Sequence, residues 1–233
     1  MQFPTQLRLV LALALAGLPG ICQTKPPAPT AHRMEITVQR LENGAWKLVD
    51  PGLVFERNDR VRFRYRANFT GYLYVVNRST SGKVERLFPR AETGQDNRIA
   101  AGKEYTIPAT ETIFRIAGPA GHELIYWLAS PVELADPAKL EADPSSLPSS
   151  KPRPGDFMPR CDDAVFRARG DCVDSSAGPQ GIAKGEQLPP GLAGAGETTP
   201  RDLLFLRQDN TTVVASPVPL TGPIVYEFRL AHK

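Results

Sequence analysis

Histidine is scarce in this chain, with His32, His122 and His232 the only three among 233 residues. General acid–base work near neutral pH most often uses histidine. His32 belongs to a proline-rich stretch and His232 to the extreme C-terminus, which leaves His122 as the one histidine beside a turn in patterned sequence. Charge bias is almost absent: a net +3 gives no reason by itself to expect nucleic acid. Absent too are a Gly-x-Ser-x-Gly elbow, a His-Glu-x-x-His pair, a phosphate-binding glycine loop and calcium-loop spacing. The common serine-hydrolase, zinc-protease, nucleotide-binding and EF-hand signatures are therefore excluded, and no cofactor is implied. Cysteine is as rare as histidine, at Cys22, Cys161 and Cys172. Cys161 and Cys172 without a nearby histidine are too few ligands for zinc.

Long apolar runs are limited to one, Leu9-Val-Leu-Ala-Leu-Ala-Leu-Ala16, preceded by Arg8 and broken at Gly17-Leu-Pro19-Gly20. A basic start, a short apolar run and a helix-breaking exit make a secretory signal peptide over residues 1–22. The run is too short to span a bilayer as a stable helix. An exported protein, periplasmic or extracellular, is the expectation. Ile21 stands where a lipoprotein signal needs a small residue, which argues against lipid anchoring at Cys22. In an oxidising compartment Cys161 and Cys172 read as one local disulfide, worth roughly 3 kcal/mol in the chain-entropy model.

Residues 23–32 are a proline-rich tether, and alternation begins at residue 33. Met34-Glu-Ile-Thr-Val38 turns at Asn43-Gly44 into Ala45-Trp-Lys-Leu-Val49, a hairpin signal. Arg60-Val-Arg-Phe-Arg-Tyr-Arg66 has a strict period of two, the mark of a half-buried strand. Gly71-Tyr-Leu-Tyr-Val-Val76 is nearly continuous in apolar character and so reads as a central strand. Short strands follow at Val84–Phe88, Tyr105–Pro108, Ile113–Ile116 and Leu124–Leu128, with Gly118-Pro-Ala-Gly121 read as a hairpin connection. Regularly spaced strands of this kind predict an all-β fold: a small antiparallel β-sandwich, immunoglobulin-like or a partly open barrel, over residues 33–135. Residues 136–200 are rich in Pro, Gly, Ser and charge. They read as a long, low-complexity, mostly disordered insertion holding the disulfide loop. The C-terminal strands, residues 201–233, are expected to complete the domain as edge or closing strands.

The motifs between Phe55 and Ser130 resemble the domain of unknown function 4384 family. They are Phe55-x-x-x-Asp59-x-Val61-x-Phe63, Gly71-Tyr-Leu-Tyr-Val75, Leu87-Phe-Pro89, Asn97-x-Ile99-x-Ala101-Gly102, Ile107-Pro108 and Gly118-x-x-Gly121-x-Glu123 running into Ala129-Ser130. The resemblance covers about a third of the chain. It implies a bacterial β domain, often exported or appended to larger signalling or protease-like chains, with no assigned catalytic residues and a binding or assembly role.

Tyr72, Tyr74, Phe88, Phe114 and Trp127 are the right size for a small sandwich core. Glu123, an acid at a strand start beside a turn, is read as bonding turn amides, with a functional carboxylate as the other reading. The one patterned surface feature is Arg60, Arg62, Arg64 and Arg66, placed by period two on one sheet face about 7 Å apart. As a binding site, the row suits an anionic glycan, a lipid headgroup or an acidic partner. As a solvated face, the commoner case, it pairs with Glu56, Glu85 or Glu104. Arg169-Gly170-Asp171 matches an adhesion tripeptide, and Asn68, Asn77 and Asn210 begin glycosylation sequons; both are short enough to recur by chance. The leading expectation is a non-enzymatic module contacting an envelope or extracellular protein or an anionic polymer. A secreted hydrolase with a carboxylate site near Glu123 is the alternative. A structural envelope component using the insertion as spacer is the third.

Overall fold

The computed structural model describes residues 32–140, 158–168, 170–182, 188–198, 203–217 and 222–233. The signal segment 1–22, the tether up to residue 31 and the stretch 143–155 of the insertion lie outside them.

Alternating sequence produces the first strands. β1 (His32–Glu42) and β2 (Ala45–Val49) pair as the hairpin that Asn43-Gly44 predicts. Both turn residues take positive φ, 50° and 79°, matching the twist of the flanking strands. β3 (Arg60–Ala67) pairs with the other edge of β1. Its Val61, Phe63, Tyr65 and Ala67 are buried, and its arginines stand on the opposite face. β4 (Gly71–Arg78) lies between β5 (Val84–Phe88) and β9 (Gly121–Ser130), the central place its apolar run predicts. The remaining strands are β6 (Arg98–Ile99), β7 (Glu104–Ile107), β8 (Phe114–Arg115), β10 (Gly178–Gln180), β11 (Leu204–Gln208), β12 (Thr211–Ser216) and β13 (Ile224–His232).

These strands make two antiparallel sheets packed face to face. The first runs β11-β12-β1-β3-β7, with β2 also on β1 and β8 also on β3. The second runs β10-β13-β9-β4-β5, with β6 on β4. No named strand pairs across the two sheets, so the fold is a sandwich and not a closed barrel. At the centre, Trp127 stacks on Tyr65 at 5.7 Å and meets Phe63 edge-on at 5.4 Å. All three are essentially without solvent contact, and each such burial stabilises by about 1.5–3 kcal/mol. Phe88 is buried and Phe114 half-buried against this same core, whereas Tyr74 and Tyr72 pack on the far side of the second sheet.

That far side has its own apolar cluster of Tyr74, Val76, Tyr126, Leu128 and Val225. The cover comes from residues 136–200, where composition predicts disorder. Leu140, from the 3₁₀ turn Pro137–Leu140, and Leu192, from Pro190–Leu192, are buried there. Ile182, Leu188 and Ala195 of α2 (Ala193–Thr198) add partly buried contacts. A few leucines without periodicity suffice because the sheet supplies the flat apolar partner. The second sheet is therefore covered on both faces, which is why β4, β9 and β13 are apolar almost without interruption.

Of the C-terminal strands, expected as edge or closing strands, β11 is an edge and β13 lies inside the second sheet, between β10 and β9 and paired with β9 along its whole length. One expectation is corrected: Gly118–Gly121 is not a hairpin, because β8 belongs to the first sheet and β9 to the second, so this segment crosses between them. The disulfide loop, too, is docked. Cys161 and Cys172 are within disulfide distance, 4.7 Å between Cα atoms, and flank α1 (Ala164–Ala168). Cys172 accepts a hydrogen bond from the Val54 amide at 2.8 Å, and Val173 bridges to Leu53.

Candidate functional site

The alternation of β3 puts Arg60, Arg62, Arg64 and Arg66 on the outer face of the first sheet, as period two predicts. Their surroundings divide the row in two. Arg66 lies opposite both Glu35 on β1 and Glu104 on β7, and its Nε donates to Glu35 at 2.9 Å. That hydrogen bond and the Glu35 charge raise the Arg66 pKa above its ordinary range. Arg64 is paired with Glu104. Of the acids expected opposite the row, Glu104 is there. Glu56 and Glu85 instead pair with Lys233 and Lys83, and Glu35 takes their place. Between these arginines and glutamates the surface dips into a shallow hollow of about 180 Å³, bordered also by Thr37 and Leu48. With two arginines and two glutamates on its rim, that hollow is close to neutral.

The other end of the row is not. Arg60 is directly opposite Arg115 in the β3–β8 pairing, so two guanidinium groups leave the same face from adjacent positions. Both are exposed, and neither has an ion pair or a hydrogen-bond partner among the described residues. Like charges directly opposite across a strand pair are destabilising. Next along the strand, Arg62 donates its Nε to Gln39 at 2.7 Å, and its guanidinium lies 4.3 Å from the ring centre of Trp46. Burial, reinforced by Arg64, lowers its pKa. Arg62 is thus held in place by an amide and an aromatic face and not by an acid.

Glu123 and His122 are separated by the strand that carries them. Consecutive residues of β9 point to opposite faces. The Glu123 carboxylate accepts from the Asn77 side-chain amide at 2.7 Å and from the Thr80 backbone N–H at 3.3 Å, as the turn-binding reading expects. His232 Nε2 lies 3.4 Å from it. Asn77, Thr80 and His232 include no acid, so these contacts give Glu123 no carboxylate partner. On the opposite face, His122 Nε2 lies 3.3 Å from Asp174 Oδ2. Asp174 is buried in the turn after Cys172 and also accepts from the Arg160 N–H at 2.8 Å and the Ser176 N–H at 2.8 Å. Desolvation works against the Asp174 charge, but the bonds from Ser176 and Arg160 and the charge of His122 outweigh it and lower its pKa. Asp174 is the clamp that fixes the disulfide loop to the sandwich. No sequence motif announces it.

Arg169 of the adhesion-like tripeptide lies outside the described residues. Among the described residues no group of three or more His, Cys, Asp or Glu side chains gathers as metal ligands. Nor is any helix there long and apolar enough to cross a membrane.

Residues 54–133 match the family model described as Domain of unknown function (DUF4384), the family that the motifs from Phe55 to Ser130 resemble. No curated protein and no solved structure matches the chain. The matched segment holds β3 to β9 and with them the whole arginine row and Arg115, but not Glu35, Gln39 or Trp46.

Proposed function

We propose that this chain, with a DUF4384 match across the β3–β9 half of its sandwich, is an exported, non-enzymatic binding module. Its outer arginine face would hold an acidic protein or an anionic envelope polymer. One observation carries the reading: Arg60 faces Arg115 with no acid between them, although acids are supplied to Arg64 and Arg66, four and six residues further along the same strand. A folded domain gains by placing a glutamate at either position, so the uncompensated pair is best explained by a partner that brings the charge. The basic start, apolar run and break between Arg8 and Gly20 support export.

The test is capture from an extracytoplasmic fraction by the full chain beside an Arg60→Glu/Arg62→Glu variant and an Arg66→Glu variant. The reading expects an acidic partner that is retained by the wild type, eluted by salt and lost with the first variant. A capture profile identical in all three chains would contradict it.

A further inference from the structure

We propose that Arg60 and Arg115 form a subsite for one tetrahedral oxyanion, a phosphate- or sulfate-type group, at the β8 end of the arginine face. The proposal rests on the anionic-partner reading above and narrows it to a ligand chemistry.

Two features of the face select a single compact group over a long acidic strand. An extended acidic chain laid along β3 would meet arginines at every second position. Arg64 and Arg66 are already occupied by Glu104 and Glu35, so only the Arg60 end has charge to offer. At that end Arg60 and Arg115 are cross-strand neighbours, which places their Cβ atoms about 5 Å apart. Arg62 follows on the same face, but its guanidinium is turned to the other side of β3, toward Gln39 on β1 and Trp46 on β2. A lone carboxylate has two oxygens and one charge, enough for one guanidinium fork. A phosphate or sulfate group has three or four oxygens and up to two charges, and accepts two forks at once.

The donor set is thus two guanidinium groups on adjacent strands, with no carboxylate among them. Phosphate and sulfate share this chemistry whether carried by a lipid headgroup, by a polymer or free in solution.

The experiment is titration of the full chain with inorganic phosphate, sulfate and tripolyphosphate in about 0.15 M salt, followed through the arginine Nε resonances. Arg60→Gln, Arg115→Gln and Arg66→Gln chains run alongside. The subsite predicts saturable binding that weakens at least about tenfold in Arg60→Gln and Arg115→Gln and less than about threefold in Arg66→Gln. Vesicles of phosphatidylglycerol, compared with phosphatidylcholine, separate the sources. Variant-sensitive binding to the former assigns a lipid headgroup, and its absence alongside tripolyphosphate binding assigns a soluble phosphoryl group. If polyglutamate binds through Arg60 while no oxyanion saturates, the subsite is wrong and the arginine-face reading stands. If no anion binds, or Arg66→Gln loses as much as Arg115→Gln, both fall.

Discussion

Arg60 and Arg115 leave the same sheet face from directly opposed positions on β3 and β8, and no acid separates them. Further along the same strand Arg64 and Arg66 have found Glu104 and Glu35. The contrast within one strand makes the row informative, because solvent, sheet and strand are the same at both ends. Only the supply of acids differs.

The family match stops short of a folding unit. β3 pairs with β1 from Met34 to Arg40, and β9 pairs with β13 from Ile224 to His232, yet β1 and β13 lie outside residues 54–133. They bring Met34, Ile36, Val38, Tyr226, Phe228 and Leu230 to the shared core. A fragment of residues 54–133 alone is expected to show no cooperative thermal transition and a poorly dispersed amide NMR spectrum, with two inner strand edges exposed. A dispersed spectrum from that fragment would contradict the interleaved core.

The cover over the second sheet depends on one close approach. A Cβ on Gly191 would overlap the Lys139 carbonyl oxygen and lie 2.7 Å from the Leu140 Cα. Gly191→Ala must therefore push the Pro137–Leu140 turn away from Pro190–Leu192 and open the cluster around Tyr126 and Leu128. The expected cost is about 1–3 kcal/mol, read as a lower urea midpoint. Leu192→Ala, which removes buried volume without a clash, should cost about 2–5 kcal/mol. Two variants with unchanged midpoints would mean that this cover contributes nothing to stability.

Docking of the disulfide loop should respond to pH in two steps. Burial lowers the His122 pKa despite the opposing charge of Asp174, with Arg229 and His232 pushing the same way. A histidine whose folded-state pKa is depressed contributes stability that is intact above its unfolded value of about 6.5 and is lost as the pH falls through the folded value. Asp174, also depressed, contributes stability that is intact above the ordinary aspartate range and is lost on further acidification through its own lower value. Thermal midpoints should therefore begin to fall just below pH 6.5 and fall again below about pH 4. His122→Gln is expected to abolish the first decline and Asp174→Asn to reduce the second, to which the lowered carboxylates of Glu42 and Asp162 also contribute. A first decline that persists in His122→Gln would assign it to another group.

Local pattern carried much of the architecture. The period of two in Arg60–Arg66 and the Asn43-Gly44 turn are properties of neighbouring residues, and both are met in the fold. The apolar run of β4 announced a central strand; β13, read among the edge or closing strands, has the same character because the second sheet is covered on both faces. What covers it is Leu140, Ile182, Leu188 and Leu192, scattered through sequence whose composition suggests disorder. Burial there follows from the sheet that receives these side chains, so no periodicity in their own segment marks it. The site divides in the same way. That the arginines share a face was legible. That Arg115 would face Arg60 and Glu35 would face Arg66 depends on strand register between segments 55 and 31 residues apart, which only the assembled sheets determine.

The account is tested most directly by the thermal unfolding midpoint of Arg115→Glu without ligand. This substitution turns an opposed like-charge pair into an ion pair between Arg60 and the introduced carboxylate. If Arg115 is kept for binding at the expense of stability, the variant should unfold about 1–3 °C above the wild type at low salt, from a gain of about 0.5 kcal/mol, while losing anion binding. The difference should shrink as salt is added. An unchanged or lower midpoint with anion binding intact would mean that the pair is neither strained nor a site, and the face would be an ordinary solvated one.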